Sequence, residues 1–366
     1  MNYAKIIDTT NIFFKEQVTL RKREAQSFYN KMTILFILIS FSGYLATVYF
    51  SSQMQGIAGI FSDYNLTITI SISLYLGASL YYLMTLLHDY VHASQYYSEK
   101  ASFLMEYVVP ILVPMNPCGY RWTHFQHHLN TNRFSEELDT LPPFKLEKTL
   151  KAFWFNVFIH SLFIMVIFIV RIIVSPLTIF SKEKGLIYFN YISPLGRVSP
   201  NVYPKRKSKK EFEKNFTGNL ITLISLLIFW ACSGFSLVFW AIYLTSLLIC
   251  SVWIAFRSLV DHACVDVKGK EEVTVANFHL TSNFSNNYFW YAGFATYHLI
   301  HHINPNIPHY FCQEINDILC REYPEYQKLH QRRNNLPLVI RDFFAKDVIK
   351  TDLLKSSVSA TLKALV

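Results

Sequence analysis

Eight of the chain's 13 histidines fall into three short boxes. HDYVH carries His88 and His92, HFQHH carries His124, His127 and His128, and HLIHH carries His298, His301 and His302. The spacings are i,i+3 and i,i+4, which on a helix bring imidazoles to one face, ready to converge on a metal. One isolated HxxxH would read equally well as a polar helix end in water. Three boxes, each at or just beyond the end of an apolar segment, read as ligand sets. Imidazole is the commonest metal ligand because it binds while neutral near pH 7. Eight or nine of them exceed what one tetrahedral zinc takes. They suit two metals, and imidazole accepts iron, copper, nickel and zinc alike.

The remaining histidines separate by their neighbours. His262, in RSLVDHACVD, directly follows the last apolar block and is expected as a ninth ligand. His160 sits inside an apolar stretch without a partner box and reads as structural. His279, His309 and His330 are isolated and read as loop or surface residues. Metal-bound imidazoles need acceptors for their second N–H. Asp89, Asp261, Glu137 and Asp139 are the candidates. Arg121 and Trp122, just before the second box, read as packing residues. No catalytic residue beyond the metal ligands is expected.

Those boxes need a scaffold, and the composition says which kind. Of 366 residues 52% are hydrophobic, with 31 Phe and 23 Tyr, a balance rare in soluble domains. The six cysteines form no CxxC pair, so neither a disulfide framework nor a zinc-finger spacing is present. The net charge of +9 fits basic cytosolic loops of a membrane protein better than a nucleic-acid site, because no recognition motif accompanies it. The reading is an all-α integral membrane protein with a cytosolic histidine-rich cap.

Residues 1–31 form a cytosolic amphipathic lead-in, 32–316 the membrane domain and 317–366 a cytosolic tail. Residues 33–50 are the first span, and the late start of that apolar run argues for a retained helix. Residues 66–87 are the second. Thr67, Thr69, Ser71 and Ser73 alternate there with a strand's period, but a lone strand cannot satisfy its backbone in lipid, so a helix is expected. Residues 103–115, interrupted by Pro110 and Pro114, are too short to cross. Residues 153–180 contain Arg171 and precede the basic run PKRKSKK at 204–210. The positive-inside rule keeps both ends of that segment on one side, so it is expected to be re-entrant or surface-lying. Residues 219–256 should fold as a helical hairpin split at Ser233-Gly234. The total is about four crossings, with both termini and all three boxes cytosolic.

HDYVH, HFQHH and HLIHH, in that order on such a scaffold, resemble the histidine boxes of the membrane fatty acid desaturase and hydroxylase superfamily. The similarity spans roughly residues 80–315, and HHINPNIPHY resembles the family's HHxxPxxPxY extension. His262 matches a position where relatives supply one further ligand. The resemblance implies a non-haem di-iron centre, O2 as co-substrate and a lipid or acyl substrate. The third box begins with His298, not with the Gln of members carrying a fused cytochrome b5, and no HPGG segment is present. The implied electron donor is therefore separate, of the ferredoxin, rubredoxin or cytochrome b5 type. The implied membrane is a bacterial inner membrane or the endoplasmic reticulum.

Chemistry supports that direction. No side chain breaks an unactivated C–H bond, so a redox metal must. The chain lacks the ExxH pattern of soluble di-iron bundles, and its histidine inventory is a different solution. The function expected is fatty acyl desaturation. Hydroxylation, ketolation or decarboxylation of a lipid or hydrocarbon is the alternative within the class. A metal-ion transporter would carry ionisable residues inside its spans, and apart from Arg171 these segments lack them. A zincin-type hydrolase would need HExxH, and Asp89 follows His88 instead.

Overall fold

The computed structural model describes residues 3–54, 56–61, 63–115, 117–130, 149–174, 209–262, 297–324 and 326–327. Every regular element among them is helical. Helix α1 (Tyr3–Phe13) leads through a short π-helical turn to α2 (Lys22–Gln53), and α3 (Asp63–Ala93) returns beside it. Short α4 (Glu99–Phe103) and α5 (Val109–Leu112) flank a π-helical stretch, and α6 (Pro117–Asn130) follows. Then come α7 (Leu150–Val174), α8 (Lys209–Cys232), α9 (Leu237–His262), α10 (His298–Ile303) and α11 (His309–Glu322).

Four helices are long and apolar enough to cross a bilayer, within Lys22–Gln53, Asn65–Tyr96, Leu150–Val174 and Leu237–Asp261. The alternating Ser and Thr of α3 are helical as expected. The Ser71 hydroxyl donates back to the Thr67 carbonyl at 2.8 Å, which is how such side chains are satisfied in lipid. The hairpin also forms where expected. Gly234 (φ 70°) and Phe235 (φ 57°) adopt the left-handed conformation, and the Phe235 amide donates to the Trp230 carbonyl at 3.0 Å.

Two segments refine the expectation. Residues 99–112 are a broken, short helical run that docks into the bundle without the length to cross it. The Tyr44 hydroxyl donates to the Leu112 carbonyl at 2.7 Å, and the Thr222 hydroxyl donates to the Pro110 carbonyl. Helix α7 is one unbroken helix of 25 residues, about 37 Å at 1.5 Å per residue. It packs along α9 and is long and apolar enough to cross a bilayer. Residues 175–180 of the expected re-entrant segment lie outside the described residues. Arg171 stands near the end of the described part of α7 and is buried within the protein. The shorter arm is in α8, whose apolar part is Phe216–Cys232.

The core runs between α3, α9, α2 and α7. At the crossing of α3 and α9 no side chain fits. A Cβ on Gly77 would lie 2.8 Å from both the Ser246 carbonyl oxygen and Ile249 Cγ2. Close approach at a small residue is the usual way helices associate where lipid offers no hydrophobic drive. It brings the ends of α3 and α9 together, and both ends carry site residues.

Candidate metal centre

Each box sits on its own helix. His88 and His92 occupy the end of α3, His124, His127 and His128 lie on α6, and His298, His301 and His302 fill the single long turn of α10. The helical period turns each set to one face, and the packing turns the three faces to one point. Ring centroids of His88 and His124 are 4.4 Å apart, those of His92 and His301 4.5 Å, and those of His88 and His301 4.7 Å.

The potential ligand atoms form two groups. His88, His92, His124 and His301 make one, and His127, His298 and His302 the other. Within each group one ring nitrogen per residue lies within 4.8 Å of all the others. His128 stands between them. Its Nε2 is 3.1 Å from that of His124 and 3.0 Å from that of His301, while its ring lies 4.2 Å from that of His302. In the second group the His302 Nε2 is 3.0 Å from that of His298 and 3.3 Å from that of His127. All eight expected box ligands therefore converge, and all but His128 are buried.

This donor set fits metal ions. A neutral imidazole offers one N–H and one acceptor, and charging several buried rings packed this closely would set like charges against one another. Burial, and then the neighbouring imidazoles of His92 and His128, hold His301 well below its ordinary value of 6.5, so it is a neutral donor. Two ring nitrogens, His88 Nδ1 and His92 Nε2, are buried without a hydrogen-bond partner. Leaving such atoms unsatisfied costs about 1–3 kcal/mol each, and a coordinated cation removes that cost.

The supporting acids divide. Asp261, on the last turn of α9, accepts from Arg257 Nε at 3.0 Å and lies 4.0 Å from His298 Nδ1, near it but beyond hydrogen-bond distance. Asp89 serves a different histidine. Its Oδ1 is 2.5 Å from His309 Nδ1 and accepts from the His309 amide at 3.3 Å. His309 was expected at the surface and is instead only 3% exposed, its ring stacked 4.9 Å from that of His301. The sequence offered one sign of this: Pro308 precedes His309 and starts an amphipathic helix that must fold back on the third box. His160 is buried on α7 and belongs to neither group. Helix α9 ends at His262, beside Asp261, but the His262 side chain is outside the described set. Glu137, Asp139, His279 and His330 also lie outside the described residues. Arg121 and Trp122 do pack. Arg121 sits over the Tyr90 ring at 5.6 Å and donates to the Val91 carbonyl at 3.3 Å, tying α6 to α3, and Trp122 is buried.

A cavity of about 110 Å³ opens against the cluster. His88, His124, His127 and His298 form one wall, and Tyr81, Met84, Met115 and Ile254 give it apolar surface. Four of the candidate ligand residues thus line a largely apolar chamber between helices able to span a membrane.

A family model described as fatty acid desaturase matches residues 65–334. No curated protein and no solved structure matches the chain. The matched stretch holds all eight box histidines and three of the four candidate spans. The chain belongs to the fatty acid desaturase family, as an integral membrane oxidoreductase acting on fatty acids.

Proposed function

We propose that this protein is an O2-dependent fatty acyl desaturase whose histidines hold two irons. The observation that carries the reading is the convergence of seven imidazoles from three separate helices into two adjoining groups, with His128 between them. His88, His92, His124 and His301 would hold one iron, and His127, His298 and His302 the other. His128 lies in reach of both groups, and His262 is proposed as a ninth ligand. When bound, the iron pair supplies the reduction of O2 and an oxidant strong enough to take hydrogen from an unactivated methylene.

The chain's own residues do the rest. Burial and the neighbouring imidazoles favour the neutral form of His301, whose ring nitrogen then has a free lone pair. Asp261, held by Arg257, places a negative charge 4.0 Å from His298 Nδ1, beside the second group. The apolar cavity excludes water and holds an acyl segment against the histidine wall, so that one methylene, and not its neighbour, meets the oxidant. Electrons enter from a separate ferredoxin, rubredoxin or cytochrome b5 type donor. The histidine end is the cytosolic end, with both termini. Supporting a common side for the N-terminal helix and the site, α1 packs on α11, where the Thr9 and Tyr323 hydroxyls are 2.6 Å apart.

The test is a mass-spectrometric comparison of lipids from cells expressing the wild type or His301→Ala under air. A species two hydrogens lighter, absent with the variant, establishes desaturation. A species one oxygen heavier makes the enzyme a hydroxylase and overturns the desaturase assignment. Identical lipid profiles in a host that supplies each of the three donor types would contradict the proposed activity.

A further inference from the structure

Asp89 lies between the two ligands of the first box, yet its carboxylate holds a histidine 220 residues away. It accepts both the His309 side-chain Nδ1–H and the His309 backbone amide. The next amide, of Tyr310, donates to the Tyr29 hydroxyl at 3.2 Å, and the Tyr29 ring stacks on that of Tyr97 at 4.8 Å. Helices α2 and α3 thus cap the start of α11 from outside, and that cap fixes the plane of the His309 imidazole. The imidazole lies almost parallel to His301, at 26° and 4.9 Å, and its centroid is 5.8 Å from that of His88. His301 is the member of the third box that reaches across to the first and second.

We infer that His309, held by Asp89, is a positioning residue whose ring buttresses His301 and sets the rotation at which His301 presents its ligand nitrogen. The inference rests on the two-iron reading above. Asp89 is the tether, and the aromatic face of His309 is the working part. A purely structural role would need only the cap, meaning any donor to Asp89 at the start of α11. A positioning role needs the ring as well.

His309→Asn separates the two, because the asparagine amide can take the place of Nδ1–H while removing the ring. The experiment titrates ferrous iron anaerobically into metal-free protein in detergent, in competition with a ferrous chelator, alongside thermal unfolding and the optical spectrum of the loaded protein. The expected result is near wild-type unfolding, an affinity for one of the two irons about 10–100-fold weaker, and an altered spectrum, the range typical of lost outer partners. In turnover kcat should fall while the lipid KM stays put. Wild-type affinity and spectrum in His309→Asn would overturn the inference and leave the pair as a helix cap. If that variant does not fold, the double variant Asp89→Leu/His309→Phe keeps a ring on His301 and removes the carboxylate with its partner. Affinity within about tenfold of wild type then supports the buttress, and a larger loss overturns it. Wild-type protein that takes up no iron would sink the two-iron reading instead, and this inference with it.

Discussion

His301 touches more of the centre than any one box should require. It meets His88 and His92 from the first box, His128 from the second, and His309 from beyond its own. Replacing it by alanine should leave the protein inserted and folded while activity falls at least about a hundredfold, read as product lipid per unit of protein. Its depressed basicity gives a second expectation, with a definite sign. In the unfolded chain the imidazole takes a proton near its ordinary value of 6.5, and in the fold it takes one only well below that. Below pH 6.5 the unfolded state therefore binds more protons, so stability of the metal-free protein is full above that pH and declines as pH falls through it. Unfolding at pH 7.5 and 5.5 should show the loss, and His301→Asn should shrink it. At this scale the boxes were legible because i,i+3 and i,i+4 spacing is local. His309 was not, because its partner Asp89 lies 220 residues away and only tertiary packing joins them.

Among the helices, the approach of α3 to α9 decides where Asp89, His88 and Asp261 end up. Gly77 is the position that permits it. Gly77→Leu should overpack that crossing, cost about 1–3 kcal/mol and lower activity with it, because both walls of the cavity move. Gly234→Ala is the contrast. Its left-handed backbone makes a Cβ unfavourable by roughly 1 kcal/mol, yet nothing lies within 4 Å and the hairpin turn holds no ligand. Thermal unfolding should drop slightly and activity should not change. That hairpin was readable from Ser233-Gly234 alone, since a glycine in an apolar block marks a break. Helix α7 was harder. Arg171 and the basic run after it argued for a segment that does not traverse, and its described part is a helix of spanning length with the arginine buried near its described end. Charge counts locate the sides of a membrane but do not say where along a helix a guanidinium is accommodated.

The described helices form a bundle of long apolar elements with the histidine boxes gathered at one end. Exposed Ile34, Leu38, Phe41 and Leu45 on α2 form a lipid-facing stripe, while Tyr29, Phe36 and Tyr44 of the same helix face the core. That division follows from composition and helical period, which is why the class could be read from sequence. What composition does not contain is the interlocking of α1, α2, α3 and α11 around the site, which depends on side-chain contacts across hundreds of residues. If iron ties these elements together, removing it should loosen all of them. Ligand bound only to the folded state at a hundred times its dissociation constant adds about 2.7 kcal/mol. Chelation should therefore lower the thermal midpoint in detergent, and ferrous iron should restore it.

The most direct measurement is the metal content of purified protein, counted by element per chain. The account predicts two irons per chain, falling in the His301→Ala variant. A single tightly held zinc, with iron absent after anaerobic reconstitution, would contradict it.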